Sequence, residues 1–513
     1  MSAIPTTALD RWTALHARVS RNRTLGGVLG LLEWDQQVYM PSGSAGARGA
    51  QAAVLSELHH AQVADPLLGD LARAVARDAH TDLGPDHPDG TVRAAAARVL
   101  LRDHRRASAV PAELVGRSAR ARSAGFAAWN AAREAEDFAL FAPALAELVA
   151  VARETAACHE PEGHLYDGAL EEFDPGARVA DLTPMFRRLG EALVPLVDAA
   201  RARPGPEAVA LHVPEGAFDA LNRVVLDVMG YDWSRGRIDL AAHPFTVGIH
   251  PHDVRVTTRL KPNAPLSTLG ATIHEGGHAL YEQGLPSAWF GTGLCRPAGA
   301  GLHESQSRFW ENQIGRSPAF FRWLQPALEQ ATGGPIDPAA VYASANRVAP
   351  GFIRVEADEA TYNLHVIVRY ELEVAIFEER LRVADLPDAW NAAYVRWLGI
   401  EPQNLRQGVL QDIHWASGLF GYFPSYTIGN LYAAGFGEAI AAAFPQLPSM
   451  VEAGNLAPVL AWLRTHVHQR GCAVDAPDIF RDAVGDRDPV DALVDHLYAR
   501  QGALYGIERP SGG

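Results

Sequence analysis

Apolar residues along this chain recur mostly at the three- and four-residue spacing of helices. Stretches 44–79, 91–109, 112–135 and 137–158 are rich in Ala and Leu with charged residues between, and each is expected to be helical. The pattern is fullest over 357–381, where Leu364, Ile367, Val368, Leu372 and Ala375 fall on one face. Breaks are short and carry Pro or Gly, as at 175–176 and 204–206, and residues 80–90 read as a polar loop. Strand-like alternation is scarce. Residues 252–260, HDVRVTTRL, set Val254, Val256 and Thr258 against polar neighbours, and residues 243–248, HPFTVG, are the expected pairing partner. There is no repeat of 20–50 residues and no long linker. The expected fold is mainly α: a large helical body, residues 1–513 as one domain, with two lobes flanking a groove and one small β element.

Composition narrows the function classes. Of the 513 residues 48% are hydrophobic, enough for a large core, and the formal charge is -15. Such an acidic chain is a poor fit to nucleic acid or an anionic membrane surface, both of which call for a basic face. No run of 18 apolar residues predicts a membrane-spanning helix. The arginines Arg18, Arg21 and Arg23 precede an apolar run at 25–32, but a long stretch containing Asp10 comes first, and Glu33, Trp34 and Asp35 end the run. A signal peptide is therefore not expected. The three cysteines, Cys158, Cys295 and Cys472, are far apart and form no CxxC pair. That count fits a reducing compartment and a cytoplasmic protein, and it argues against a cysteine-built metal site.

The chemistry-bearing string is His274-Glu275-Gly276-Gly277-His278. On a helix, positions four apart share a face, so both imidazoles can meet one metal ion while Glu275 reaches a water beside it. Such a string arises by chance roughly once in twenty chains of this size, so context has to support it. Flanks 268–281 read as a helix, with Gly284 and Pro286 as its stop. The two glycines are each unfavourable by about 1 kcal/mol inside a helix, which calls for a reason such as close approach of another backbone or of substrate. A catalytic zinc site also needs a third protein ligand and one open position. His303 and Glu304, on a second expected helix ending near Gly315, are the candidates, and spacing alone does not choose between them. A set of two histidines and one glutamate favours Glu304.

At this point the sequence resembles the carboxypeptidase Taq family. HEGGHALYEQG (274–284) and HESQSRFWEN (303–312) look like its two metal-binding segments. HPF (243–245), DVRVT (253–257), IRVEAD (353–358), GVLQDIHW (408–415), GYFPSYTIGN (421–430) and LLEWDQQVYMP (31–41) look like its other blocks, in the expected order. Residues 261–265 are less like the family. The resemblance implies zinc held by His274, His278 and Glu304, with Co2+ able to substitute, and Glu275 as general base. It implies release of single residues from peptide C-termini with broad specificity and poor handling of proline. It further implies a helical fold with a deep groove and a homodimer, while the β element is expected beside the motif helix from the strand pattern itself.

Remaining roles are read from residue chemistry. A terminal carboxylate suits the planar fork of an arginine, and Arg354 and Arg255 are the candidates. The alternative for each is a structural ion pair. His414 with Tyr422 or Tyr426 is expected to stabilise an oxyanion. Gln411 and Asp412 are expected to orient His414 or line the groove, and Asp253 and Thr257 to shape its wall. The short pairs His59/His60, His250/His252 and His466/His468 are expected at the surface, and Trp34 in the core. Competing readings are an oligoendopeptidase or dipeptidase with the same zinc chemistry, and a metal-binding scaffold without turnover.

Overall fold

The computed structural model describes residues 4–81, 88–159 and 163–510. The described residues hold twenty α-helices and three short strands, joined by loops and short 3-10 or π-helical turns. The expected helix over 44–79 is two helices, Ala45–Val63 and Pro66–Thr81, because Pro66 cannot continue the first and fits the opening turn of the second. The expected helices at 91–109, 112–135 and 137–158 correspond to Pro88–Ala109, Ala112–Ala135 and, after a short 3-10 turn, Ala142–His159. Of the expected loop at 80–90, residues 82–87 lie outside the described residues, and 88–90 already belong to a helix. The apolar run at 25–32 sits inside the long helix Ala8–Val38. No described helix is long and apolar enough to cross a membrane.

Two large apolar cores lie side by side. One gathers Leu145, Phe186, Leu364, Trp390 and Leu497, and the other gathers Val225, Leu280, Phe309, Phe320 and Leu463. The helix Phe423–Ala443 serves both, giving Phe423 and Leu431 to the first and Phe436 and Ile440 to the second. A third, smaller core around Leu15, Leu71 and Leu100 holds the N-terminal helices together. Helix Glu359–Phe377 departs from the amphipathic expectation, since it is buried on nearly every side. Its polar residues are paired internally: His365 with Tyr394, Arg369 with Asp412, and Asn363 with Asn430. Glu373 accepts from Tyr166, Trp415 and the Gly421 N–H. Polar residues that would ordinarily mark a solvent face here mark the contact with other elements.

The sheet has the order β1-β3-β2, with β1 Gly236–Leu240, β2 Thr246–His250 and β3 Asp253–Thr258. The antiparallel pair β2/β3 is the hairpin expected from the alternation, with Thr246 opposite Val256 and Val247 opposite Arg255. Strand β1 runs parallel to β3 and has no counterpart in the sequence expectations. Its pattern is inverted: Asp239 is buried while Leu240 is exposed. Asp239 tolerates this because Arg237 and Tyr39 both bond to it. The sheet packs against helix Pro265–Gly284 and so fixes one side of the groove.

Candidate active site

Helix Pro265–Gly284 carries the HEGGH string, and its glycines are explained by what they touch. A Cβ on Gly277 would lie 2.6 Å from the carbonyl oxygen of Gln306 and from Cα of Ser307. Gly277 therefore lets the motif helix cross helix Ala300–Arg308 at backbone contact. On the far side of that second helix, a Cβ on Gly429 would fall 2.5 Å from Cγ of Glu304. Two glycines on flanking helices thus clamp the segment that bears Glu304.

The crossing brings three donors together. One ligand atom each from His274, His278 and Glu304 lies within 4.8 Å of the others. Nε2 of His278 is 3.4 Å and Nε2 of His274 is 3.7 Å from Oε2 of Glu304. His303 points elsewhere: its ring stacks on His278 at 4.3 Å, and its Nε2 lies 3.1 Å from Glu282. The other ring nitrogen of His274, Nδ1, is 2.9 Å from Oε2 of Glu311. That contact makes Nδ1 the protonated atom and leaves the Nε2 lone pair facing Glu304. Burial pushes His278 down to about 3, so it is neutral with a free lone pair. Burial works against the charge of Glu304, but Arg308 and the two histidines outweigh it and hold the carboxyl well below its usual range. Two imidazoles, each with its Nε2 turned towards Glu304, and one carboxylate suit zinc, with a fourth position left for a small ligand.

Residues not anticipated from the sequence support these donors. Arg308 donates to Glu304 at 2.7 Å and to Glu311 at 3.2 Å, and Arg316 donates to Glu311 at 3.2 Å. Glu311 lies on a π-helical turn, Phe309–Gly315, that continues the ligand helix. Such turns occur frequently at functional sites. Asp174 accepts from the Gly301 N–H at 2.7 Å and from Ser425 at 2.5 Å, tying the start of the ligand helix to helix Phe423–Ala443. His468, expected at the surface, is fully buried and lies 2.9 Å from Gln306, because it fills the space beside Gly284. Only Glu311, seven residues after Glu304 and so two turns along, left a readable trace in the sequence.

Glu275 is buried, and its carboxylate accepts from the Thr246 hydroxyl at 2.8 Å. Burial raises its pKa, against the pull of His274 and Thr246. A cavity of about 590 Å³ opens over this group, lined by His274, Glu275, His278, Glu304, Phe245, Thr246, Tyr422 and Tyr426 among others.

His414, Arg354, Arg255, Asp253, Thr257 and Gln411, expected to stabilise the oxyanion, hold the carboxylate or shape the groove, are not among the residues lining this cavity. His414 stands behind Tyr426, with Nε2 3.1 Å from the phenol oxygen. Arg354 is 4% exposed, bound to Asp412 and Tyr362, and its guanidinium carbon lies 4.6 Å from the Tyr426 ring centre. Asp412 also binds Arg369, and Gln411 accepts from both the Arg354 N–H and Arg369. Arg255 forks onto Asp253 and covers the ring of buried Trp34. Thr257 acts on the wall at one remove, since its hydroxyl bonds to the backbone of Phe245 in both directions.

Fold and site together have the make-up of a helical metallopeptidase. The profile of the Carboxypeptidase Taq (M32) metallopeptidase family matches residues 14–501. Thermostable carboxypeptidase 1 of Thermus thermophilus is 37% identical over 492 residues, covering 93% of this chain and 95% of that protein. Carboxypeptidase 1 of Bacillus subtilis is 39% identical, over 74% of this chain and 77% of that protein. The crystal structure of the M32 carboxypeptidase from Deinococcus radiodurans R1 superposes with a TM-score of 0.92 at 35% identity, covering 97% of this chain and all of that one. The chain belongs to the carboxypeptidase Taq family of metallopeptidases.

Proposed function

We propose that this protein is a zinc carboxypeptidase that removes single residues from peptide C-termini. The observation that carries the reading is the meeting of His274, His278 and Glu304 beside buried Glu275 in one cavity. Zinc, which those three residues would hold, would supply Lewis acidity towards a carbonyl and make a neighbouring water more acidic. Glu275, oriented by Thr246, takes the proton from the attacking water and passes it to the leaving amine. Tyr426, and Tyr422 beside it on the wall, donate to the oxygen that gains charge. His414 holds the Tyr426 hydroxyl in place, and Arg354 packs against its ring. Glu311 fixes the orientation of His274.

Broad side-chain specificity, weak release beside proline, replacement of zinc by cobalt and a homodimeric state belong to this reading through the family resemblance. A cytoplasmic location is supported by three free cysteines. Incubating a peptide and its C-terminally amidated twin with the zinc-loaded enzyme tests the function. The free acid should shorten one residue at a time and stop when metal is chelated. Equal cleavage of both peptides would overturn the exopeptidase reading in favour of an endopeptidase.

A further inference from the structure

The same cavity has a second wall that the proposed chemistry leaves unused. It carries Arg102 and Arg106 from helix Pro88–Ala109, together with Arg296, Asp103 and Glu172. Arg296 is neutralised by Asp103 at 2.5 Å. Among the described residues, Arg102 and Arg106 have no carboxylate at hydrogen-bond distance. The carboxylate of Asp475 is 3.8 Å from Arg102 and is bound more closely by Arg98, at 2.9 Å, while Arg106 donates to the backbone oxygen of Glu171 at 3.1 Å. Glu172 is exposed and forms no ion pair with either arginine among the described residues. The Nε atoms of both Arg102 and Arg106 are buried without a hydrogen-bond partner.

This arrangement is unfavourable on its own. The two guanidiniums sit one helical turn apart, where like charges repel, and buried unpaired donors add a desolvation penalty. A local rule broken without visible compensation is expected where a ligand supplies it. The missing partner must be an anion that enters the cavity and accepts from two planar forks, which is the chemistry of a carboxylate.

We infer that Arg102 and Arg106 receive a carboxylate of the bound peptide. The inference rests on the peptidase reading and extends it to substrate recognition. A peptide can offer this group as an acidic side chain upstream of the scissile bond or as its own C-terminus.

The test uses the zinc-loaded full chain and R102Q and R106Q, with peptides carrying Glu or Gln at successive positions. Binding of the same peptides to zinc-loaded E275Q, with and without each arginine substitution, gives the comparison independently of turnover. If an acidic side chain is received, the wild type prefers Glu over Gln at one position by about tenfold in KM, and either substitution brings that ratio to about one. If the C-terminus is received, either substitution raises KM for every free-acid peptide by the same factor, with no difference between Glu and Gln. Unchanged KM and binding for all peptides in both variants would overturn the inference. Absence of turnover in the wild type would count against the peptidase reading alone, because the binding comparison would still decide the role of the arginines.

Discussion

Gly277 and Gln306 meet backbone to backbone, and this contact sets the depth at which the HEGGH helix crosses the helix bearing Glu304. A methyl group on Gly277 has only backbone to push against. Gly277→Ala is therefore expected to lower stability by about 1–3 kcal/mol and to weaken zinc binding by displacing Glu304. Gly276→Ala is the control. Its Cβ would meet the flexible ends of Leu226 and Met229, and alanine regains about 1 kcal/mol of helix propensity. Urea unfolding and zinc titration of both variants check this. Equal losses in the two would remove the special role of Gly277.

Glu311 holds Nδ1 of His274, and partners of this kind typically contribute 10–100-fold to metal affinity or activity. Glu311→Gln should weaken zinc binding by a factor in that range while far-UV circular dichroism stays unchanged. A competition titration against a chromophoric chelator measures it. Affinity within twofold of wild type would show that the His274 ring is fixed by packing alone.

Much of the fold and of the site can be read from the sequence, and the gaps have physical causes. The HEGGH helix, the β2/β3 hairpin and the choice of Glu304 over His303 follow from periodicity and donor chemistry. The helix of 359–377 misleads because His365, Arg369 and Glu373 look solvent-facing yet are paired inside the protein. Strand β1 is invisible because its buried residue is an aspartate. Asp174, Arg102 and Arg106 lie 100 residues or more from the motif, and only the tertiary fold brings them to the site. Arg354 and His414 are expected at the substrate, and the structure sets both against Tyr426. Spacing finds residues on one helix, but it does not show which of two layers a side chain from a distant loop occupies.

Glu373 gives the stability a pH dependence. Burial pushes its carboxyl up to about 7, against the pull of Tyr166, Gly421 and Trp415. The unfolded chain releases this proton near 4.5. Between those values the native state holds more protons, so this group's contribution to stability falls as pH rises through the window, by about 3 kcal/mol in all. Glu373→Gln has no such proton. Its stability relative to wild type should rise by about that amount between pH 4.5 and pH 8, read from urea unfolding. A difference that does not change with pH would mean that Glu373 is ionised throughout.

Asp412 is the shared counter-ion of Arg354 and Arg369. Burial opposes its charge, but the two guanidiniums outweigh this and hold it well below the usual carboxylate range. Asp412→Asn leaves two buried arginines without a charge partner, and loss of one member of a buried pair typically destabilises by about 3–5 kcal/mol. Thermal unfolding of the variant should show a lowered midpoint, together with reduced kcat because Arg354 packs on Tyr426. A variant as stable as wild type would mean that solvent reaches the arginines.

Tyr426 and His414 are expected to act as one unit. The phenol lines the cavity and the imidazole lies 3.1 Å behind it. Burial pushes His414 down to about 3 despite the nearby Asp412, so the ring is neutral across the working range and carries one proton. Tyr426→Phe removes a donor to the oxyanion and should lower kcat by about 10²–10³ with little change in KM. His414→Ala should lower kcat less, because the hydroxyl survives without its support. Combining the two should add almost nothing to the effect of Tyr426→Phe alone, since residues that act through each other are non-additive. Steady-state kinetics of the three variants completes the cycle. Additive losses would show that His414 reaches the substrate by a route of its own and would return it to the role expected from sequence.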